Sequence, residues 1–187
     1  MIAITGSIGT GKSTVCTIIK SMGYNVVDCD KLVHHLYLEK EIINQVKELF
    51  PDVVDNGFIN RKKLGSIIFN NKAEKEKLEN LIHPYVRKEL NKIKDKKTIV
   101  EIQLLFESHM EDLFDVIICV ASDAEVQIDR IIKRNNISKE SALKIINNQM
   151  DINKKIELSD FVIYNNLDMN QLIKDTKELM EKIEVTL

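Results

Sequence analysis

The chain has 187 residues, of which 44% are hydrophobic and 30% charged, with a formal net charge of −2. That length can bury a real core in one principal domain, and the near-neutral balance gives no bulk attraction to a nucleic-acid polyanion. No apolar run approaches the roughly 20 residues that cross a bilayer, and no signal-peptide pattern precedes the first strand, so a soluble, cytoplasmic protein with neither nucleic-acid nor membrane partners is expected.

The chain opens with Met1-Ile2-Ala3-Ile4-Thr5, which reads as a short buried strand, and Ser13 to Met22 reads as a helix. Between them, Gly6-Ser7-Ile8-Gly9-Thr10-Gly11-Lys12-Ser13 matches the phosphate-binding loop in every required position. Glycine at positions 6, 9 and 11 removes side chains where backbone N–H groups must converge on phosphate oxygens. The helix start adds unpaired donors and a positive dipole end. Lys12 would reach the β- and γ-phosphates of a nucleotide, and the Ser13 hydroxyl would ligate Mg²⁺.

A second apolar strand, Asn25 to Asp28, ends in Asp28-Cys29-Asp30. Acids at the C-terminal end of such a strand lie on the ligand-binding edge of an open parallel sheet. Asp30 is the preferred catalytic acid, placed to orient an attacking hydroxyl or accept its proton and to organise Mg²⁺-bound water. Asp28 would support that network or bind substrate; capping of the next helix is the competing reading. Cys16, Cys29 and Cys119 are too scattered for a disulfide scaffold or a zinc site and are expected as small buried hydrophobes.

Residues 31–97 form a long helical excursion, expected to be an inserted acceptor-binding region. Within it Asp55-Asn56-Gly57 marks a turn, and Arg61 to Phe69 resumes a helical pattern. In His83-Pro84 the proline is expected to fix His83 at a helix break. His34, His35 and His109 show no zinc-ligand spacing and read as structural or exposed. The lysines between Asn91 and Lys97 read as a solvated connection.

Strands are expected over Thr98–Leu105, Asp115–Val120 and Phe161–Tyr164, with a final helix over Met169–Ile183. Ser122-Asp123-Ala124-Glu125 has the form of a capping box, and Ser138 is a cap for a further helix. Gln127, Arg130 and Arg134 fall on one stripe at spacings of three and four. Arginines there would neutralise charge on the transferred phosphoryl group when a lid closes, although they also suit a solvent-facing stripe. Residues 127–158 are the expected lid, with Gln149 and Lys154-Lys155 as weaker candidates of the same kind. Apolar strands alternating with helices predict an α/β protein, an open five-stranded parallel sheet flanked by helices. The sequence carries no signal for oligomeric state.

Taken in order, Ile4 to Thr14, Val27-Asp28-Cys29-Asp30, His83-Pro84, Leu104-Leu105-Phe106-Glu107, Gln127, Arg130, Arg134, Gln149, Ser159-Asp160 and Asn165 resemble the bacterial dephospho-coenzyme A kinase family over nearly the whole chain. The resemblance implies a phosphate-loop fold like that of nucleoside kinases, and transfer of the ATP γ-phosphoryl to the ribose 3′-hydroxyl of dephospho-CoA, completing coenzyme A synthesis. It assigns ATP to Gly6, Gly9, Thr10, Gly11, Lys12, Ser13 and Thr14, and Mg²⁺ to Ser13 with Asp30 through water. Asp30, Lys12 and Arg134 become catalytic, and Gln127 and Arg130 belong to the lid. Asp28 and His83 contact the acceptor, which the family resemblance places between the core and the inserted region. Three positions depart from the family pattern: Ser7 where glycine is usual, Cys29 where alanine is common, and Gln103 where proline is common. Ser7 raises the question whether its backbone fits the loop. Another small-molecule kinase is the nearest rival. A nucleotide-dependent switch is a second, but the chain has no NKxD sequence and its two acids favour acceptor chemistry.

Overall fold

The computed structural model describes residues 1–69, 71–93, 95 and 97–186. In chain order the elements are β1 (Ile2–Thr5), α1 (Lys12–Ser21), β2 (Val26–Asp28), α2 (Cys29–Leu36), α3 (Lys40–Leu49), β3 (Val54–Asp55), β4 (Phe58–Ile59), α4 (Arg61–Phe69), α5 (Lys72–Leu90), β5 (Ile99–Glu101), β6 (Val116–Ala121), α6 (Ala124–Asn135), α7 (Lys139–Asn147), α8 (Ile152–Glu157), β7 (Phe161–Tyr164) and α9 (Met169–Thr186). They divide into two compact units, Met1–Val27 with Asp95–Leu187, and Asp28–Lys94.

The first unit is built on a five-stranded sheet in the order β2-β5-β1-β6-β7. The pairings of β1 with β5 and β6, and of β6 with β7, are parallel, with Ile2 opposite both Ile99 and Val116. Such strands must be apolar on both faces, and all six residues of β6 are buried. Ile4, Ile99, Ile118 and Ile163 pack with Val15 and Ile19 of α1 and Leu172, Met180 and Ile183 of α9. Each such side chain removed from water stabilises the fold by about 1.5–3 kcal/mol. Because β5 and β6 lie on opposite sides of β1, the connections diverge there, and the crevice at the C-terminal strand ends is where an open α/β sheet receives its ligand. The glycine loop leaves β1 at that edge.

Beyond the sheet, Ile128, Ile131 and Ala142 of α6 and α7 form a smaller core with Ile8, Ile132, Ile137 and Ile146. The phosphate loop thus supplies one wall of that cluster, through Ile8. In the second unit, Leu78, Ile82, Val86 and Leu90 make a buried i, i+4 stripe along α5. The Asn56-Gly57 turn joins β3 to β4 with both residues at positive φ, 50° and 81°, as a tight hairpin turn requires.

Three local expectations are corrected. β5 ends at Glu101, well short of Leu105; the apolar run continues as a turn closed by Ser108 N–H to Leu104 O at 2.9 Å, with Leu105 and Phe106 buried in it. An apolar run reports burial, which a packed turn satisfies as well as a strand. Asp123, not Ser122, is the N-cap residue of α6, and it makes no side-chain cap bond. Its N–H and carboxylate instead pair with Asn166, at 2.7 and 2.8 Å. Finally, α5 runs on through Pro84 without a break, its buried stripe outweighing one missing backbone donor. The Ser138 cap is present, accepting from Ser141 N–H at 3.2 Å. Of the lysine-rich connection, Lys94 and Lys96 lie outside the described residues.

Candidate active site

The glycine loop is fixed by bonds that leave the start of α1 to a ligand. Gly11 is the N-cap of α1, with no side-chain cap and no acidic residue in the first turn, so the helix's own first turn does nothing to offset its positive end. Gly6 and Gly11 are needed sterically as well as for their positive φ of 138° and 96°. A Cβ would lie 2.2 Å from Val120 O at the first and 2.1 Å from Asn165 Nδ2 at the second. Ser7 fits, because among the described residues positive φ outside glycine occurs at Asn56, His109 and Asn136. Its carbonyl oxygen ties the loop together, accepting from Thr10 Oγ1 at 2.9 Å and Lys12 Nζ at 3.2 Å.

Side chains from four neighbouring segments hold this loop. Gln127 Nε2 donates to Ile8 O at 2.6 Å, and Ile8 N–H donates to Gln149 Oε1 at 2.9 Å, so both polar groups of the Ile8 peptide are taken. Asn165, just past β7, donates to Thr10 O at 2.9 Å and accepts from Arg130 Nη2 at 3.3 Å. The other terminal nitrogen of Arg130, Nη1, is buried without a hydrogen-bond partner among the described residues, about where a Gly11 Cβ would touch it at 4.0 Å. A buried, unmatched guanidinium N–H is costly unless an acceptor arrives, and an anion on the loop is such an acceptor.

On the β5 side, Ser13 Oγ donates to Glu101 Oε1 at 2.9 Å, and Lys12 Nζ donates to Gln103 Oε1 at 3.3 Å. Lys155, fully buried, is paired with Glu107 at 2.9 Å and donates to Gln103 O at 2.7 Å. Burial pushes the Cys119 thiol up to about 11, with the ammonium groups of Lys155 and Lys12 pulling against that rise. Among the described residues no group of three or more His, Cys, Asp or Glu is placed to hold a metal by itself. The Ser13 hydroxyl and Glu101 carboxylate are nevertheless hard oxygen donors side by side. One or two such ligands plus phosphates and water are what Mg²⁺ takes in kinases.

The expected stripe on α6 therefore splits. Gln127 and Arg130 turn into the loop, whereas Arg134 lies exposed in the last turn and donates to Asn135 Oδ1 at 3.0 Å. Asp28, Asp30 and His83 belong to the second unit. Asp28 accepts from Lys31 N–H at 3.1 Å and pairs with Lys31 Nζ at 3.3 Å, so it does cap α2. Asp30 is exposed in the first turn of that helix, and His83 is half-buried on α5. Between the two acids, burial first, then Asp30 and Asp28, pushes the Cys29 thiol up to about 12.

Sequence reasoning missed Glu101. Its signal is the one that singled out Asp28, an acid at the end of an apolar strand, but a strand drawn to Leu105 places Glu101 in mid-strand. Asn165 was visible only as part of a family pattern, with no role attached.

Residues 1–171 match the family model described as dephospho-CoA kinase. The chain is 39% identical to the dephospho-CoA kinase of Fusobacterium nucleatum, with 98% of each chain covered. Among solved structures it is similar to the dephospho-CoA kinase of Campylobacter jejuni, at TM-score 0.74 and 32% identity over 97% of this chain and 96% of that one. It is also similar to a Thermus thermophilus protein, at TM-score 0.83 and 31% identity over 100% of this chain and 96% of that one. A loop built for phosphate on a parallel sheet, within a match that runs through both compact units, leads to one conclusion: the chain belongs to the dephospho-CoA kinase family.

Proposed function

We propose that the protein transfers the γ-phosphoryl of ATP to the ribose 3′-hydroxyl of dephospho-CoA, giving CoA and ADP, in the cytoplasm. The observation that carries this reading is the family match over residues 1–171, which takes in the Asp28–Lys94 unit as well as the nucleotide loop. Among the described residues no helix is long and apolar enough to cross a membrane.

The glycine loop, Thr10 and Thr14 cradle the phosphates of ATP, Lys12 pairs with the β- and γ-phosphates, and Arg130 Nη1 finds in them the acceptor it lacks among the described residues. Mg²⁺, when bound, neutralises phosphate charge; the Ser13 hydroxyl and, beside it, Glu101 are the residues that would hold it, with Asp30 acting through water. Asp30 orients the attacking hydroxyl and takes its proton. Asp28 already caps α2, which leaves Asp30 as the acid of the pair suited to that role. The helices within residues 127–158 act as the lid, and Arg134, exposed at the end of α6, closes on the transferred group. The acceptor is held by the inserted region 31–97, with His83 among its contacts.

ADP release with ATP and Mg²⁺ should be measured against a panel of acceptors. Dephospho-CoA should be phosphorylated at least a hundredfold more efficiently than nucleosides, nucleotides or shikimate. Efficient turnover of one of those with none on dephospho-CoA would sink the proposal.

A further inference from the structure

Gln103 links two lysines. Its backbone oxygen accepts from the fully buried Lys155 at 2.7 Å and from Thr5 Oγ1 at 3.3 Å, at the end of β1. Its side-chain oxygen accepts from Lys12 at 3.3 Å. Lys155 is itself held by Glu107, whose carboxylate also accepts from Met150 N–H at 2.9 Å. A buried lysine is a poor source of stability, because its desolvation offsets most of what the pairing contributes. What this pair does contribute is a fixed main chain at Gln103, pinned on one side by an ammonium and on the other by the end of β1.

Lys12 is a flexible stem with a rotatable ammonium and needs external acceptors to hold one direction. It has two carbonyl oxygens on different segments, Ser7 O at 3.2 Å in the loop and Gln103 Oε1 at 3.3 Å after β5. Two acceptors fixed to separate parts of the unit restrict both the position and the rotation of the ammonium. Preorganised charge of that kind is what stabilises a transferring phosphoryl group, since nothing has to reorient during reaction. The thiol of Cys119 feels both ammonium groups, in keeping with their convergence on the edge of β6.

We infer that Gln103 is a positioning residue for phosphoryl transfer, its amide oxygen aiming the Lys12 ammonium at the β- and γ-phosphates, with Lys155 and Glu107 fixing its backbone. The inference rests on Lys12 being the phosphate ligand of the function proposed above.

Gln103→Met keeps the length and volume of the side chain and removes the acceptor. Its Kd for ATP should rise about tenfold and its kcat should fall about tenfold, the effect of one hydrogen bond to a charged group. Its Kd for AMP, which has no β- or γ-phosphate, should stay within about twofold of wild type, as should KM for dephospho-CoA. Gln103→Glu keeps an acceptor oxygen but pairs Lys12 with a full charge that competes with the phosphates, so it should weaken ATP more than Gln103→Met does. Equal losses for ATP and AMP, or a Gln103→Met enzyme with wild-type kcat and ATP affinity, would overturn the inference. If Gln103→Met does not fold, Gln103→Glu decides, and wild-type ATP affinity in that variant overturns it. A wild-type protein that binds ATP without phosphorylating dephospho-CoA refutes the acceptor assignment alone, and the comparison of ATP with AMP still tests Gln103.

Discussion

Gly11 and Gly23 form a matched pair in which only one should be indispensable. Their φ angles are nearly the same, 96° and 95°, so alanine pays a similar backbone cost at each, about 1–2 kcal/mol. Around Gly23 a new Cβ meets no atom of the described residues within 4 Å, whereas at Gly11 it would sit 2.1 Å from Asn165 Nδ2. The Asn165 amide has little room to yield, because it donates to Thr10 O at 2.9 Å and accepts from Arg130 at 3.3 Å. Displacing it breaks two bonds, one of them to a cation, for about 2–3 kcal/mol beyond the backbone strain. At about 2–4 °C per kcal/mol for a chain of this size, Gly11→Ala should melt roughly 5–10 °C below Gly23→Ala. Calorimetry measures that difference, and turnover on ATP and dephospho-CoA measures the functional split. Gly23→Ala should keep wild-type kcat below its melting point, while Gly11→Ala should lose at least about a hundredfold, the scale of one lost group aimed at transition-state charge. Equal melting temperatures in the two variants would refute the reasoning about Asn165.

Asp30→Asn should lower kcat by about 10²–10⁴-fold, the usual worth of a general base, with ATP affinity unchanged in equilibrium titration; near-normal kcat would remove Asp30 from the chemistry. Lys155→Met leaves Glu107 without its cation and should cost about 3 kcal/mol in urea unfolding, whereas Lys155→Met with Glu107→Leu should recover most of that loss. Native protein at pH 8 should show less than one thiol reactive towards a disulfide reagent, and all three after denaturation, because Cys16, Cys29 and Cys119 are buried. The raised thiol of Cys29 stays protonated in the folded state while the unfolded one ionises near its ordinary 9.0. Its contribution to stability is therefore complete below about pH 9 and declines as the pH rises towards about 12. A Cys29→Ala protein with the same alkaline loss as wild type would contradict that assignment.

The phosphate loop was legible because its letters encode backbone geometry: a glycine pattern that only a left-handed, crowded turn requires, bracketed by a strand and a helix. The strand positions followed from burial on both faces, except past Glu101, where the buried run is a packed turn, and the Asn56-Gly57 hairpin followed from turn chemistry. What the sequence could not carry was contact between distant segments. Gln127 and Arg134 share a helical stripe, yet one is 3% exposed with its amide on Ile8 O while the other lies on the surface. Helical phase does not say how far along a helix its neighbour extends. Ser122 satisfies a capping pattern but gives up the cap to Asp123, which a pairing with Asn166 draws into place from 43 residues away. The pairing of Glu101 and the role of Gln103, which stood out only as a departure from the family pattern, stayed hidden for the same reason, since their partners, Ser13 and Lys12, are 88 and 91 residues distant.

The central claim is the identity of the transferred group and of the atom that receives it. Protein incubated with dephospho-CoA, Mg²⁺ and ATP labelled in its γ-phosphoryl should yield one labelled product, whose phosphorus resonance is a monophosphate ester on the ribose 3′-oxygen, with ADP formed in equal amount. Label on any other atom or molecule, or hydrolysis of ATP that leaves dephospho-CoA unchanged, would contradict the account.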